Sequence, residues 1–505
     1  MKRSFLFLVF IGLCSKFLGF IRELVVSFYF GISDITDAFN IAQSISGFFL
    51  TFIGVAISVT FIPIYNRVSN EKGNAYAEGF FSSLIYITVL LSAFITWFIY
   101  FFSEFTVILF APGLIGEAKL WAIELTEICS LGVGFFCATF LFTAYLNGRN
   151  CFKRAAFTTI PYNFILLFSV IYASENGIEF LGYGKLLASL VQVVMLLVFS
   201  WKLGARVSKF EIKYLHELKN ILWLSVPAML GAGVEQINRL VDKNIASTIM
   251  QGGVSIVNYA ERIILLVEGV LITPIITIFF SKLSKKITGE GAKKTGELVL
   301  SMVNYVTIIS FPISVLLSYH SSYIVSFIYE RGAFSSSDTS YVASIVSIYS
   351  IAIFFNAIRQ CFARFFFVSE DTKTPMWNAF IGMGANIILN VTLSYWFGLV
   401  GLAFATLISS ILILLLMYFS FRREVTCSFG GIWSVLLKVV LSTSLAIIAS
   451  ELFRHVLFFD DLDFISFSLI IIVFSFFYFF MLVLTSVQEV SLFALRFLRF
   501  LRFNL

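Results

Sequence analysis

The chain has 505 residues, of which 59% are hydrophobic and 13% charged, with a formal net charge of +6 and a mean hydropathy of +0.95. Soluble domains carry roughly 25% charged residues, so the deficit excludes an ordinary water-soluble enzyme and points to many membrane spans. The basic residues are scattered through short inter-span loops, which argues for membrane topology and against a nucleic-acid partner.

Apolar runs of about 20 residues, enough for one helix to cross the hydrocarbon, follow one another along the chain. The first six are 4–30, 36–65, 80–103, 118–146, 155–174 and 181–203. The next six are 218–249, 254–281, 296–319, 339–367, 376–397 and 399–421. Runs at 434–456 and 464–486 and a short basic tail complete the chain. The expected fold is all-α and integral to the membrane, with about fourteen transmembrane helices. Lys2 and Arg3 before an apolar run resemble a signal peptide, but no small-residue cleavage site follows and charges interrupt the centre. This segment is read as a retained first helix.

The loops support the same count. Lys2/Arg3, Arg67/Lys72, Arg149/Lys153/Arg154, the Lys202–Lys219 and Lys282–Lys294 groups, Lys373, Arg422/Arg423 and Arg496/Arg499/Arg502 alternate with loops holding Asp34, Glu104, Glu175 and Asp460/Asp461/Asp463. The positive-inside rule places the basic set and both termini in the cytoplasm.

Several charges lie where hydrocarbon is expected: Lys16, Arg22 and Glu23 in the first span, then Asp37, Glu124, Glu127, Glu235, Arg239, Asp242, Glu261, Arg262, Glu268, Arg359 and Arg364. Each costs on the order of 2.5–3.5 kcal/mol at mid-bilayer, so such groups face a wet cavity or an opposite charge. A polytopic protein with a charged interior handles a charged or polar solute. Arg359 and Arg364 sit toward a helix end and are read as snorkelling.

Catalytic signals are missing. Cys14, Cys129, Cys137, Cys151, Cys361 and Cys427 show no C-x-x-C spacing and read as small buried thiols. His216, His320 and His455 are dispersed, and no Walker-type glycine loop is present, so the chain is read as a non-enzyme that hydrolyses no ATP. A faint internal repeat relates Phe39-Asn40-Ile41-Ala42 after Arg22 to Val257-Asn258-Tyr259-Ala260 after Arg239. Two six-helix halves, 1–210 and 211–425, follow from it, with 426–505 holding two extra spans and the tail.

The ordered motifs are more specific. They run Ser15-Lys16-Phe17-Leu18-Gly19-Phe20-Ile21-Arg22-Glu23, Phe30-Gly31 and Thr36-Asp37-Ala38-Phe39, then Pro227-Ala228, Gln236-Ile237-Asn238 and Tyr259-Ala260-Glu261-Arg262. Arg331-Gly332-Ala333-Phe334, Asp371-Thr372-Lys373-Thr374-Pro375 and Gly401-Leu402-Ala403 follow. Together, from about Ser15 to Ser410, they resemble the MurJ (MviN) family of lipid II flippases, within the superfamily that also holds MATE exporters.

The resemblance implies two six-helix lobes around a cationic cavity, alternating access, and a groove for a polyprenyl tail on the two C-terminal helices. It also matches Arg22 to a family Arg, Asp37 to an acidic position, and Glu261-Arg262 to an Asp-Arg pair. The sequence departs from the family at Leu50, Val55 and Leu265, where charged residues are usual.

A lipid-linked glycan carries a pyrophosphate, and guanidinium and ammonium donors replace its hydration. Lys16, Arg22 and Arg262 are the candidate substrate contacts; a bundle salt bridge to Asp37 or Glu23 is the competing role for the span-1 cations. Asp37 is read as a gate or helix-start partner, and Glu261 as a charge partner for Arg262. Asp242, Asn386, Asn390 and Thr406 offer oxygens for a sodium ion, with interhelical hydrogen bonding as the competing role.

The expected function is outward movement of undecaprenyl-pyrophosphate-linked peptidoglycan precursor across the bacterial cytoplasmic membrane, with no cofactor other than the candidate sodium. Partners are that lipid, membrane lipids and cell-wall synthesis proteins. Alternatives are a flippase for an O-antigen or capsule unit, a MATE-like cation exporter, and a membrane glycan polymerase or acyltransferase using Asp460, Asp461 and Asp463.

Overall fold

The computed structural model describes residues 2–206, 208–290, 295–425, 427, 429–457 and 464–487, without the side chains of 2–10, 13, 281, 282 and 284–290. The Asp460/Asp461/Asp463 cluster, Lys293, Lys294 and the tail with Arg496, Arg499 and Arg502 lie outside the described residues, as do the side chains of Lys2, Arg3, Lys282, Lys285 and Lys286. By packing, the chain forms two compact units, one of residues 1–262, 329–338 and 387–402 and one of 263–328, 339–386 and the remainder. Among the described residues every regular element is helical.

The first unit contains α1 (Lys2–Phe30), α2 (Asp34–Lys72), α3 (Asn74–Phe101), α4 (Ser103–Phe110), α5 (Gly116–Leu131) and α6 (Val133–Gly148). It continues with α7 (Phe152–Phe157), α8 (Thr159–Asn176), α9 (Glu179–Trp201), α10 (Leu215–Ile249) and the first turns of α11 (Gly253–Val267). The 39-residue α2 is its axis and packs on α3, α5, α6 and α10. Ser33 and Thr36 form a capping box at its start, Asp34 and Asp37 favour its N-terminal dipole, and Lys72 favours its end. At 1.5 Å per residue it is about 58 Å long, so it projects beyond a hydrocarbon layer about 30 Å thick.

Where α2, α3 and α6 converge near Arg149, the Glu78 carboxylate accepts from the hydroxyls of Tyr65 at 2.6 Å and Tyr145 at 3.0 Å and pairs with Arg149. Phe61, Phe80 and Phe81 are buried beside them.

The second unit contains the rest of α11, a π-helical turn at Glu268–Ile272, α12 (Thr273–Glu290), α13 (Gly296–Tyr319) and α14 (Ser321–Tyr329). Beyond these come α15 (Ser336–Val368) from 339 on, α16 (Lys373–Phe397) up to 386, α17 (Leu399–Glu424) from 403 on, α18 (Gly430–Leu457) and α19 (Phe464–Leu484), the 387–402 stretch of α16 and α17 belonging to the first unit. Phe362, Phe365, Phe366 and Phe421 fill its core. The α18–α19 pair packs on α13, where the Tyr478 hydroxyl donates to the Ile308 carbonyl at 2.6 Å.

Each apolar run read from the sequence lies on helix. Eleven helical segments are long and apolar enough to cross a membrane, or twelve if α5 and α6, bent by 41°, form one span. Gly132 stands at that bend, which divides the run read as 118–146. Of the two remaining runs, α1 lies partly outside the described side chains, and α10 carries Glu235, Arg239, Asp242 and Lys243.

Candidate functional site

Helix α1 sets Arg22 and Glu23 side by side deep in the first unit. Glu23 is only 6% exposed, and burying a lone carboxylate is costly unless cations surround it. Arg22 Nη2 lies 2.5 Å from Glu23 Oε1, and Arg262 Nε, arriving on α11, lies 3.5 Å from the same oxygen. Lys243 on α10 adds a third positive charge acting on Glu23, while its Nζ donates to Ser44 Oγ at 2.6 Å. Guanidinium groups from two helices therefore share one acceptor.

The structure brings Arg22 and Arg262 together on Glu23, which for Arg22 is the bundle salt bridge named as the competing role. Lys16 is exposed on α1, and six residues at 3.6 per turn place it about 120° around the helix from Arg22. For Arg22 the ion-pair partner is Glu23 rather than Asp37. Adjacent residues on a helix diverge in direction, so Arg262 reaches Glu23 while the Glu261 charge acts on Lys243.

Asp37 is buried and accepts from the Ser255 amide at 2.7 Å and the Ser255 hydroxyl at 2.6 Å. Its charge thus lies at the N-terminus of α11, where the helix dipole favours it.

Lys243 was not singled out in the sequence. The available signal was the 235–239–243 spacing, which at i, i+4, i+8 places Glu235, Arg239 and Lys243 on one face of α10. Arg239 pairs with Glu235 at 3.0 Å along that face.

The four candidate sodium ligands divide between the units. Asn390 donates to Asp242 Oδ1 at 2.6 Å in the first unit. In the second, Asn386 donates to Ser409 Oγ at 3.1 Å, and the Thr406 carbonyl accepts from Ser409 and Ser410. Among the described residues no group of three or more His, Cys, Asp or Glu side chains is placed to hold a metal. Arg359 donates to Asn356, and Arg364 lies over the Phe280 ring, both in the second unit.

Residues 26–483 match the family model described as lipid II flippase MurJ. The chain belongs to the MurJ lipid II flippase family. A probable lipid II flippase MurJ of Rhizobium meliloti is 28% identical over 408 residues, covering 78% of this chain and 76% of that protein. The Buchnera aphidicola (subsp. Acyrthosiphon pisum) probable MurJ is 25% identical, covering 88% of each chain.

A solved MurJ structure in an inward closed conformation superposes with TM-score 0.83 at 26% identity, over 96% of this chain and 99% of that one. An inward-facing MATE multidrug transporter of the MOP superfamily superposes with TM-score 0.67 at 14% identity, over 80% and 97%. The MurJ resemblance carried by the ordered motifs is thus borne out, as is the all-α fold shared with MATE transporters. This MurJ family member is a multi-pass membrane protein of a transporter family.

Proposed function

We propose that the chain is a lipid II flippase that carries undecaprenyl-pyrophosphate-linked peptidoglycan precursor from the cytoplasmic to the outer leaflet of the bacterial cytoplasmic membrane. Both termini are cytoplasmic in this reading. The observation that supports it is the sharing of Glu23 by Arg22 and Arg262. A pyrophosphate offers oxygens that compete with one carboxylate for two guanidinium groups, and Arg binds phosphate in bidentate geometry.

Head-group binding releases the cations from Glu23, and Glu23 recaptures them as the head group leaves. Alternation between lobes 1–210 and 211–425 exposes the site to each side in turn, while the helices of 426–505 accompany the polyprenyl tail. An inside-negative potential assists outward movement of an anion by about 2.3 kcal/mol per charge per 100 mV. A MATE-like cation exporter would instead call for an acidic cluster, whereas two guanidinium groups converge on Glu23.

The test is complementation of a strain depleted of its own lipid II flippase, with externally accessible lipid II as the readout. Restored accessibility, lost with Arg22→Ala and Arg262→Ala at normal expression, is expected. Growth rescue without externally accessible lipid II, or full activity of both variants, rejects the reading. An O-antigen-type substrate would be transported in reconstituted vesicles in preference to lipid II.

A further inference from the structure

Lys185 on α9 is buried to 8% exposure and, among the described residues, has neither a carboxylate partner nor a hydrogen bond. Its ammonium lies over the Phe136 ring, 5.7 Å from the centroid. Phe136 meets Tyr162 edge-on at 6.1 Å, and Tyr162 lies in the electrostatic environment of Arg22. The Arg22 charge acts on Lys185. At 1.5 Å per residue, Lys185 is about 9 Å from the start of α9 and Arg22 about 12 Å from the end of α1. By the loop-charge topology both of those ends lie on the extracytoplasmic side, so the two cations share a depth.

A buried ammonium without a counter-ion is expensive, and apolar replacements of similar volume are often neutral or stabilising. A chain that keeps one beside a second cation holds a position for an anion. Resting on the flippase reading above, we infer that Lys185 is a second phosphoryl-binding residue, which with Arg22 receives the substrate's pyrophosphate in the outer half of the first unit. The aromatic pair Phe136–Tyr162 lies beside the Lys185 ammonium. The phosphoryl group recognised is that of a polyprenyl pyrophosphate or of free pyrophosphate.

The experiment uses the purified full-length protein in detergent, with undecaprenyl pyrophosphate, undecaprenol and inorganic pyrophosphate as probes. Thermal unfolding and binding are compared for the wild type, Lys185→Met, Lys185→Arg and Arg22→Ala. Lys185→Met is expected to unfold at the same or a higher temperature without ligand, yet to bind undecaprenyl pyrophosphate about tenfold or more weakly. Lys185→Arg should restore binding, and undecaprenol should not distinguish the variants. Inorganic pyrophosphate binding that also depends on Lys185 would show that the anion alone suffices; its absence would show that the lipid is required.

Wild-type affinity in Lys185→Met, with affinity lost in Arg22→Ala, overturns the inference and leaves the flippase reading standing. A lower unfolding temperature in Lys185→Met, with no rescue by Lys185→Arg, assigns the residue to structure and overturns it too. If the wild type does not prefer undecaprenyl pyrophosphate to undecaprenol, the flippase reading itself fails.

Discussion

Asn258 Nδ2 donates to Asn40 Oδ1 at 2.9 Å, and both side chains are buried. These are the two asparagines matched by the faint internal repeat, and they are 218 residues apart. The Ser255 amide and Asp37 have the same separation. The repeat thus marks a contact in which a position meets its own equivalent, the arrangement expected near a two-fold axis.

Replacing either asparagine with leucine removes the other's amide partner in a buried site, at a cost of about 1–3 kcal/mol, although Asn40 Nδ2 keeps Ser255 Oγ at 3.4 Å. Asn40→Leu and Asn258→Leu should each lower the thermal unfolding midpoint, and the double variant should recover part of the loss. Strictly additive midpoints across this cycle would mean that the pair is not coupled.

Glu23→Gln preserves size and removes the shared charge. The Gln amide oxygen still accepts, but two guanidinium groups lose their counter-charge, so the variant should be less stable, by less than the roughly 3–5 kcal/mol of a fully buried pair because the Arg262 side chain is 35% exposed. It should also hold a pyrophosphate lipid more tightly and release it more slowly. Binding and single-turnover flipping in vesicles separate the two effects; unchanged affinity would remove Glu23 from the exchange.

The Arg331-Gly332-Ala333-Phe334 segment is a docked turn rather than a free one. The Ala333 amide donates to the Phe28 carbonyl at 2.8 Å. Gly332 has φ +64°, and a Cβ there would lie 2.2 Å from that carbonyl oxygen. Gly332→Ala should therefore destabilise by about 1–3 kcal/mol, measured by thermal unfolding and by protease cleavage within 329–338. Gly148→Ala, where a Cβ meets nothing within 4 Å, is the matched control and should be neutral or stabilising.

Asp371 precedes α16 and accepts from the amides of Lys373 and Thr374, each at 3.0 Å, and from the Thr374 hydroxyl at 2.6 Å. Desolvation pushes its carboxyl up, but these donors outweigh it and hold the group below its ordinary value. A depressed folded value means the stabilisation is complete above the ordinary carboxylate value of about 3.9 and is lost as pH falls through the folded value. Asp371→Ala should thus lower the unfolding midpoint at pH 7, by a capping loss of about 0.5–2 kcal/mol. The difference should shrink toward pH 3. A pH-independent difference would assign the effect to packing.

How much could be read without the structure differs from residue to residue. Hydropathy placed every helix that carries an apolar run, because burial in lipid demands about 20 apolar residues whatever their neighbours. The bend at Gly132 was not legible there, since both flanking stretches are equally apolar. Lys243 escaped notice beside Asp242, although its spacing from Glu235 and Arg239 was visible. Lys185 escaped because one lysine near a helix end reads as a snorkelling residue.

The amino-acid order alone determined that this is a helical membrane protein and that it carries MurJ motifs and costly intramembrane charges. Those properties are local: hydropathy and identity at each position suffice. Only the tertiary structure decided that Arg22 and Arg262 converge on Glu23, that Asp37 turns to Ser255, and that Asn40 meets Asn258. Each of those partners is chosen by how α1, α2, α10 and α11 approach one another, and burial makes the choice binding because an unmatched charge or amide has no water to turn to.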